Sequence, residues 1–296
     1  MKTKRAVWKV WNPMTETIHA ALKNLESQLG DNGLDVNAAF LLLEHITEKS
    51  RASLLADLRE PLTVRQAEQF EQLRAELLTG KPVQHIIGEE WFYGRAFTVS
   101  KDVLIPRPET EELVQGALQR ATRLFNDKSI RVADIGTGSG AIAITFQLER
   151  EESQVTATDI SEAALVVARR NAERNGAKLT FLQGDLAQPL MNEKWDIILS
   201  NPPYIGMEEA PSMSSTVVDY EPHNALFAEE GGLALYQKLA ETLPPIMNKP
   251  SLICLEIGYL QGSGVKQMFK QAFPNATIEV VQDMNGKDRM IFCEIQ

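Results

Sequence analysis

The chain has 296 residues, of which 44% are hydrophobic and 24% charged, a balance typical of globular proteins that excludes disordered, collagen-like and coiled-coil classes. The formal net charge is −10, and residues 1–82 contribute nothing to it because they carry 11 basic and 11 acidic side chains. No apolar run approaches the roughly 18 residues that a membrane span needs, and no apolar stretch follows the basic N-terminal residues, so we predict a cytoplasmic protein with no membrane contact.

Residues 1–82 show the periodicity of helices. A first apolar stripe ends at Gly30, Asp35 is a candidate N-cap for a second helix, and a capping-box pattern at Thr63 begins a third that Gly80 and Pro82 end. We therefore predict a small N-terminal helical bundle. The side chains expected on the buried faces are Ile18, Leu22, Leu25 and Leu29 in the first helix, Val36, Ala39, Phe40, Leu43 and Ile46 in the second, and Val64, Ala67, Phe70, Leu73 and Leu77 in the third.

A short linker is predicted between the bundle and the rest of the chain. Val83–Ile87 and Ala96–Val99 alternate in polarity around Gly88 and Gly94, which is typical of a small β-hairpin. We assign this hairpin linker to residues 83–100.

Residues 101–296 alternate between strand and helix patterns, which predicts a doubly wound, mostly parallel seven-stranded α/β sheet. The last two strands have no helix between them and should pair as an antiparallel hairpin. The predicted strands are Ile130–Ile135, Gln154–Thr158, Lys178–Leu182, Trp195–Leu199, Leu252–Ile257, Thr277–Val281 and Met290–Ile295. The predicted helices are Glu111–Phe125, Ala141–Arg150, Glu162–Asn175, Leu233–Met247 and Gly264–Phe273.

Cysteines and histidines are few. Cys254 and Cys293 lie in apolar segments and are predicted to be buried free thiols. The four histidines do not show the spacing of metal ligands, so we expect no metal cofactor; they are His19, His45, His85 and His223.

A glycine-rich turn follows the first predicted strand of the sheet. Asp134 precedes the sequence Gly136–Gly140, which opens a helix, and such a turn lets a ligand approach the backbone closely. The next two strands end at Asp159 and Asp185, so both carboxylates should lie at the same sheet edge, where open α/β sheets bind ligands. The pattern G-x-G-x-G is not the G-x-G-x-x-G of dinucleotide sites, and it resembles the S-adenosylmethionine site of Rossmann-like methyltransferases.

The fourth strand ends in Ser200-Asn201-Pro202-Pro203-Tyr204. Two prolines fix an extended backbone and remove two N–H donors, so the carbonyl groups stay free to accept hydrogen bonds. Together with the Asn201 amide oxygen and the Tyr204 ring, they are suited to a planar amide or amino group. The segment 206–232 that follows has little regular pattern, and a loop of this length is usually functional or disordered.

These motifs, in this order, resemble the PrmC/HemK family, the N5-glutamine methyltransferases of peptide chain release factors. Besides N-P-P-Y, the resemblance is carried by Gln84–Gly88, Trp91–Gly94, Val103–Glu111, Tyr220–Pro222, Ala225–Leu226 and Gly231–Leu233, and it covers roughly residues 15–296. It implies a Rossmann-like methyltransferase domain over residues 101–296, a release-factor-binding domain over residues 1–82, and the glutamine of a Gly-Gly-Gln loop as substrate. It also implies S-adenosylmethionine as cofactor, with S-adenosylhomocysteine as product and no direct nucleic acid substrate.

The resemblance carries roles over to particular residues. Gly136, Thr137, Gly138, Ser139 and Gly140 would cradle the methionine part of the cofactor, Asp159 would hold the ribose, and Asp185 and Leu186 would flank the adenine. Asn201 and Pro202 would accept the two N–H bonds of the substrate amide, Pro203 would adjoin them, and Tyr204 would pack on the amide plane, with Asn201 also beside the cofactor. Arg107 and Glu109 either close over cofactor or substrate, or form an ion-paired surface turn. Tyr220–Pro222 would order the loop over the substrate.

Three other functions share parts of this pattern. A ribosomal-protein glutamine methyltransferase shares N-P-P-Y, although the intact Pro106–Glu111 segment favours the release-factor branch. A DNA adenine N6-methyltransferase would be expected to carry a basic recognition region, whereas here residues 1–82 are neutral and the rest of the chain is acidic. A non-enzymatic adaptor would bind the cofactor without turnover.

Overall fold

The computed structural model describes residues 16–296, so the basic residues Lys2, Lys4, Arg5 and Lys9 lie outside the described part of the chain. The chain divides into two compact units between Ile87 and Gly88. The first is helical, and the second contains a large sheet with helices on both faces. None of the described helices is long and apolar enough to cross a bilayer.

The first unit is built from short helices around one apolar core. Thr63 forms the predicted capping box with Gln66, since its hydroxyl accepts from the Gln66 backbone N–H and the Gln66 side chain accepts from the Thr63 N–H. Most of the predicted stripe residues are buried in this core. The helices are α1 (Ile18–Asp31), α2 (Ala38–Thr47), α3 (Arg51–Ala56), α4 (Val64–Leu77) and α5 (Val83–Ile87).

Some predictions for the bundle were wrong in detail. Asp35 does not cap α2: its Oδ1 accepts from the Asn37 N–H at 2.9 Å in a turn before the helix. Val36 is 44% exposed. It lies before the first residue of α2, so it is not on the buried face of that helix. Val64 is 46% exposed because it is the first residue of α4 and no preceding turn covers it. The short helix α3 was not predicted.

The segment Val83–Ile87 is helical, although an alternating strand was predicted there. Its apolar residues Val83, Ile86 and Ile87 have the i, i+3, i+4 spacing of a helix face. All three pack against the core of the first unit, and this packing decides between the two patterns. The hairpin therefore begins later, with β1 (Glu89–Phe92) paired antiparallel to β2 (Arg95–Thr98).

The remaining elements of the second unit follow the predicted alternation. The strands of the large sheet are β3 (Arg131–Ile135), β4 (Gln154–Asp159), β5 (Leu179–Gln183), β6 (Trp195–Ser200), β9 (Met247–Glu256), β10 (Thr277–Gln282) and β11 (Asp288–Ile295), and a two-residue parallel pair consists of β7 (Ile205–Gly206) and β8 (Phe227–Ala228). The helices are α6 (Pro108–Phe125), α7 (Ala141–Glu149), α8 (Glu162–Asn175), α9 (Ser215–Tyr220), α10 (His223–Leu226), α11 (Glu229–Gly232), α12 (Ala234–Thr242) and α13 (Gly262–Ala272).

The seven strands lie in the order β10-β11-β9-β6-β3-β4-β5. The five strands from β9 to β5 in this order are parallel, while β11 pairs antiparallel with both β9 and β10. The predicted fold class, a mostly parallel seven-stranded Rossmann-like sheet with an antiparallel C-terminal hairpin, is confirmed. Because β3, β4 and β6 are parallel, the glycine turn, Asp159 and Asn201 follow strands that end at one edge of the sheet.

Alternate side chains of the strands build two cores, one on each face of the sheet. Cys254 belongs to the face that packs on α6, α7 and the β1–β2 hairpin, while Cys293 belongs to the face that packs on α12 and α13. Both cysteines are buried and free, as predicted.

Two boundaries around β9 differ from the prediction. Helix α12 ends at Thr242 rather than Met247, because Pro244 and Pro245 cannot continue an α-helix and form a 3-10 turn instead. Strand β9 begins at Met247, five residues before the apolar run that predicted it.

Candidate active site

A cavity of about 390 Å³ lies beside the carboxyl ends of β3, β4 and β6. Its wall is made by the glycine turn, by the segment before α6 and by the chain from Pro222 to Lys238. Among the predicted site residues, ten line it: Arg107, Gly136, Thr137, Gly138, Ser139, Asp159, Asp185, Leu186, Asn201 and Pro203. Four do not line it: Glu109, Gly140, Pro202 and Tyr204.

The glycine turn is held against the neighbouring strand. The backbone N–H groups of Gly136 and Thr137 both donate to the carbonyl of Thr158 at 2.9 Å. Gly140 has a φ of 83° and precedes α7, and a Cβ there would lie 2.8 Å from Ile144 Cδ1 and 3.2 Å from the Ala168 Cβ. A side chain at Gly140 would therefore push α7 and α8 apart, so this glycine serves helix packing while the preceding residues of the turn face the cavity.

Asp134 is a buried carboxylate directly before the turn. Its Oδ2 accepts from the Thr137 hydroxyl at 2.6 Å, whereas its Oδ1 makes no hydrogen bond with any described residue. Burial raises the pKa of Asp134 to about 7, against the opposing effects of the Thr137 hydrogen bond and of the Ala143 backbone. Asp134 itself does not line the cavity, but its hydrogen bond with Thr137 holds the turn that does.

The carboxylates after the next two strands also lie in the cavity wall. Asp159 accepts from the Gly138 N–H through Oδ2 and from the Ser161 N–H through Oδ1, both at 2.9 Å. Burial is the main cause that raises its pKa above the ordinary value. A carboxylate has about four acceptor positions, so at least one remains for a ligand hydroxyl. With Asp185 and Leu186 in the same wall, these residues fit a nucleoside whose ribose and base lie beyond the glycine turn.

Asn201 lines the cavity directly after β6, and its Nδ2 donates to the Thr110 hydroxyl at 3.3 Å. The Tyr204 hydroxyl lies 3.4 Å from Glu256 Oε1, and the Tyr204 carbonyl accepts from Gln261 Nε2 at 2.8 Å. Burial, with the nearby Glu256 carboxylate, raises the pKa of Tyr204 well above its usual range. The segment 201–204 is thus tied to α6, to the end of β9 and to the start of α13.

Arg107 pairs with a distant carboxylate rather than with Glu109. Its Nη2 lies 2.5 Å from Glu221 Oε1, and the Ile105 N–H donates to the other Glu221 oxygen at 3.2 Å. The Glu221 side chain is 1% exposed and that of Arg107 is 34% exposed. This ion pair joins the segment before α6 to the segment 206–232, two parts of the chain that flank the cavity.

We expect the Glu221→Gln substitution to loosen the segment 206–232. The variant keeps an acceptor for Ile105 but loses the charge that Arg107 faces, so amide hydrogen exchange in this segment should become about tenfold faster. Mass spectrometry of peptides after deuterium labelling measures this. Asp219→Asn removes the same charge two residues away on an exposed side chain and should leave the exchange unchanged. Equal effects of the two substitutions would contradict the ordering role of the Arg107–Glu221 ion pair.

Several functional contacts were not expected from the sequence. Thr110 lay within a motif of the resemblance but was given no role, and Glu256 was noted only as part of a strand. Asn171 is fully buried on α8, where it accepts from the Thr98 N–H at 2.7 Å and donates to the Thr98 and Ser139 carbonyls. It thereby ties β2 to the glycine turn. The sequence does contain a signal for the role of Asn171, because this polar residue lies on the apolar face of a predicted helix.

Metal ligands were not expected, and among the described residues no group of three or more His, Cys, Asp or Glu side chains is placed to hold a metal ion.

Sequence comparison finds two families within this chain. The methyltransferase small domain matches residues 113–242, and the PrmC N-terminal domain matches residues 20–88. The release factor glutamine methyltransferase of Bacillus anthracis is 45% identical over 94% of this chain and 99% of that protein. That of Bacillus subtilis is 46% identical over 93% and 97%, and that of Staphylococcus aureus is 40% identical over 88% and 92%.

Solved structures resemble the fold at low sequence identity. A methyltransferase from Pyrococcus furiosus has a TM-score of 0.52 at 17% identity and covers 76% of this chain and 98% of its own. The hMettl16 catalytic domain in complex with an RNA hairpin has a TM-score of 0.55 at 16% identity, over 69% of this chain and 76% of that one. At these identities the likeness concerns the methyltransferase fold alone.

Proposed function

The chain belongs to the release factor glutamine methyltransferase family, and we propose that it transfers a methyl group from S-adenosylmethionine to the side-chain amide N5 of the glutamine in the Gly-Gly-Gln loop of peptide chain release factors. The observation that carries the proposal is that Asn201 and Gly138 line one cavity. The motif suited to an amide therefore lies next to the turn suited to the cofactor.

The residues of the glycine turn, which Asp134 holds through its hydrogen bond with Thr137, would hold the methionine part of S-adenosylmethionine. Asp159 would accept from the ribose hydroxyls, and Asp185 and Leu186 would flank the adenine. When bound, this molecule supplies a methyl group on a positively charged sulfur, which is already activated for transfer. The protein has mainly to align the nucleophile with it.

The difficult partner is the amide nitrogen, whose lone pair is delocalised into its carbonyl group. The Asn201 side-chain oxygen and the Pro202 carbonyl would accept the two N–H bonds of the glutamine amide. Held in this way, the nitrogen becomes more pyramidal and its lone pair points toward the methyl group. The nitrogen becomes more acidic as it is alkylated, so it would pass one proton to water without needing a strong general base.

Tyr204 and Arg107 would complete the proposed substrate site in different ways, with Pro203 in the cavity wall beside them. The Tyr204 ring would pack against the amide, while its hydroxyl is held near Glu256. The Arg107–Glu221 pair would order the segment 206–232 beside the substrate loop. The helical bundle of residues 1–82 would bind the body of the release factor, which is supported by the match to the PrmC N-terminal domain. We propose that the protein carries out this reaction in the cytoplasm.

The proposal is tested by incubating the protein with methyl-labelled S-adenosylmethionine and an unmethylated release factor. Mass spectrometry of peptides should place the added methyl on the Gly-Gly-Gln glutamine, and a release factor with asparagine at that position should remain unlabelled. Ribosomal proteins and duplex DNA are tested in parallel. Label on either of these, with none on the release factor, would contradict the proposal and leave the fold and cofactor assignments standing.

A further inference from the structure

A buried chain of hydrogen bonds lies behind the Asn201 amide. The Asn201 Nδ2 donates to the Thr110 hydroxyl oxygen at 3.3 Å, and that hydroxyl donates to Glu256 Oε2 at 2.6 Å. Thr110 is 4% exposed and Glu256 is 2% exposed. The chain joins three elements, since Asn201 follows β6, Thr110 lies in the first turn of α6, and Glu256 ends β9.

The direction of these hydrogen bonds decides which end of the amide is available to a substrate. A threonine hydroxyl has one hydrogen, and here Glu256 accepts it. Thr110 can then only accept from its other neighbour, so the NH2 end of Asn201 faces Thr110. The Asn201 Oδ1 makes no hydrogen bond with any described residue, and it is the unpartnered end of a side chain that lines the cavity.

We propose that Glu256, acting through the Thr110 hydroxyl, fixes the Asn201 amide with Oδ1 as the acceptor for the substrate amide. Both are positioning residues, and this inference rests on the proposed function. Without an acceptor at Glu256, the Thr110 hydroxyl could donate to the Asn201 oxygen instead. The amide would then turn its NH2 end to the substrate, and two NH2 groups cannot hydrogen-bond to each other.

The orientation of the Asn201 amide should also depend on pH, because it depends on whether Glu256 accepts or donates a hydrogen bond. Protonated Glu256 can donate to the Thr110 oxygen, which frees the Thr110 hydrogen for Asn201. The pKa of Glu256 is raised to about 7, mainly by burial and also by Glu109 of α6, against the opposing effects of Thr110, Arg289 of β11 and Tyr204. From α12, the Tyr236 hydroxyl donates to the Glu256 backbone carbonyl at 2.7 Å. Activity limited by this orientation should therefore fall as the pH decreases through about 7.

The first test compares threonine variants. Thr110→Val keeps the shape but removes the hydroxyl, and kcat for release factor methylation should fall about tenfold, with the affinity for S-adenosylhomocysteine unchanged. Thr110→Ser keeps the hydroxyl and should restore most of the rate. Thr145→Val is the matched control, because Thr145 is also buried and its hydroxyl has no hydrogen-bond partner in the described chain. A Thr110→Val enzyme as fast as wild type would overturn the proposal.

The second test follows pH. Glutamine in Glu256→Gln can accept from Thr110 and donate to the Tyr204 hydroxyl without titrating, so kcat should lose its dependence on pH near 7. A fall in kcat that is the same in wild type and Glu256→Gln would overturn the proposal.

A readout that does not need methyl transfer separates this inference from the proposed function. In protein labelled with nitrogen-15 on asparagine, the side-chain NH2 signals of Asn201 are identified by their absence in Asn201→Ala. They should titrate near pH 7 in wild type and not in Glu256→Gln. If they titrate but no release factor is methylated, only the proposed function fails. If methylation occurs but the signals do not titrate, the positioning role fails.

Discussion

Asn201→Ala is expected to lower kcat for glutamine methylation by about 10²- to 10³-fold, the range found when one preorganised hydrogen-bonding group at a reacting centre is removed. The Asn201 side chain lines the cavity, and its Nδ2 is already committed to Thr110. Alanine removes the acceptor for one N–H bond of the substrate amide, so the nitrogen lone pair is no longer directed. Single-turnover kinetics at saturating cofactor measure the effect on the methyl-transfer step itself.

Two further variants make this result specific. Asn192→Ala removes an exposed asparagine just before β6 and should leave the rate unchanged. Asn201→Asp keeps the acceptor oxygens but cannot donate to Thr110, whose hydrogen is taken by Glu256, so it should be nearly as slow as alanine. Binding of S-adenosylhomocysteine, measured by calorimetry, should persist in all three variants. An Asn201→Ala enzyme within a factor of three of wild type would exclude this role for Asn201.

The parallel strands could be predicted closely because short strand patterns alternate with helix patterns along this part of the chain. For β3, β4 and β6 the predicted and observed boundaries agree within one residue. The start of β9 was missed since residues 248–251, which follow its first residue Met247, are mostly polar. The helix at Val83–Ile87 was missed because five residues fit both periods, and only packing against the bundle core decides between them.

The site residues could be predicted where a functional side chain or turn comes directly after a strand. The glycine turn, Asp159 and Asn201 each come at the end of a parallel strand, so topology alone brings them to one edge. The contacts that hold them were not predictable from spacing. Thr110 and Glu256 are 146 residues apart, and Arg107 and Glu221 are 114 apart. The first pair depends on how α6 packs against β9, and the second depends on the path of the segment 206–232. Neither arrangement leaves a recognisable pattern in a single sequence.

Gly232 is the position where we expect the largest effect from adding one methyl group. It is buried with a φ of 82°, and a Cβ there would lie 2.0 Å from the Tyr204 carbonyl oxygen and 2.6 Å from Gln261 Nε2. Those two atoms are hydrogen-bonded to each other at 2.8 Å. The methyl group of Gly232→Ala would therefore meet backbone of the segment 201–204, which cannot move aside as a flexible side chain can.

The expected result of Gly232→Ala is a free energy of unfolding lower by about 3 kcal/mol, since left-handed strain and a steric clash add. We also expect kcat to fall about 10²-fold, because a shift of roughly 1 Å in groups that align a substrate has effects of this size. Urea unfolding and single-turnover kinetics measure the two quantities.

The variant Gly231→Ala separates the effect of backbone strain from the effect of the steric clash with Tyr204. Gly231 also has a positive φ, 62°, but the nearest atom to its Cβ would be Glu208 Oε1 at 3.7 Å. This variant should lose only about 1 kcal/mol and keep a rate within a few-fold of wild type, although the two glycines are adjacent. Because the difference between the variants isolates the contact with Tyr204, equal losses in both would mean that the segment 201–204 is not positioned by the chain at Gly232. A loss of rate in Gly232→Ala with cofactor binding retained would instead show that the close approach at Gly232 holds the amide-binding segment in its working place.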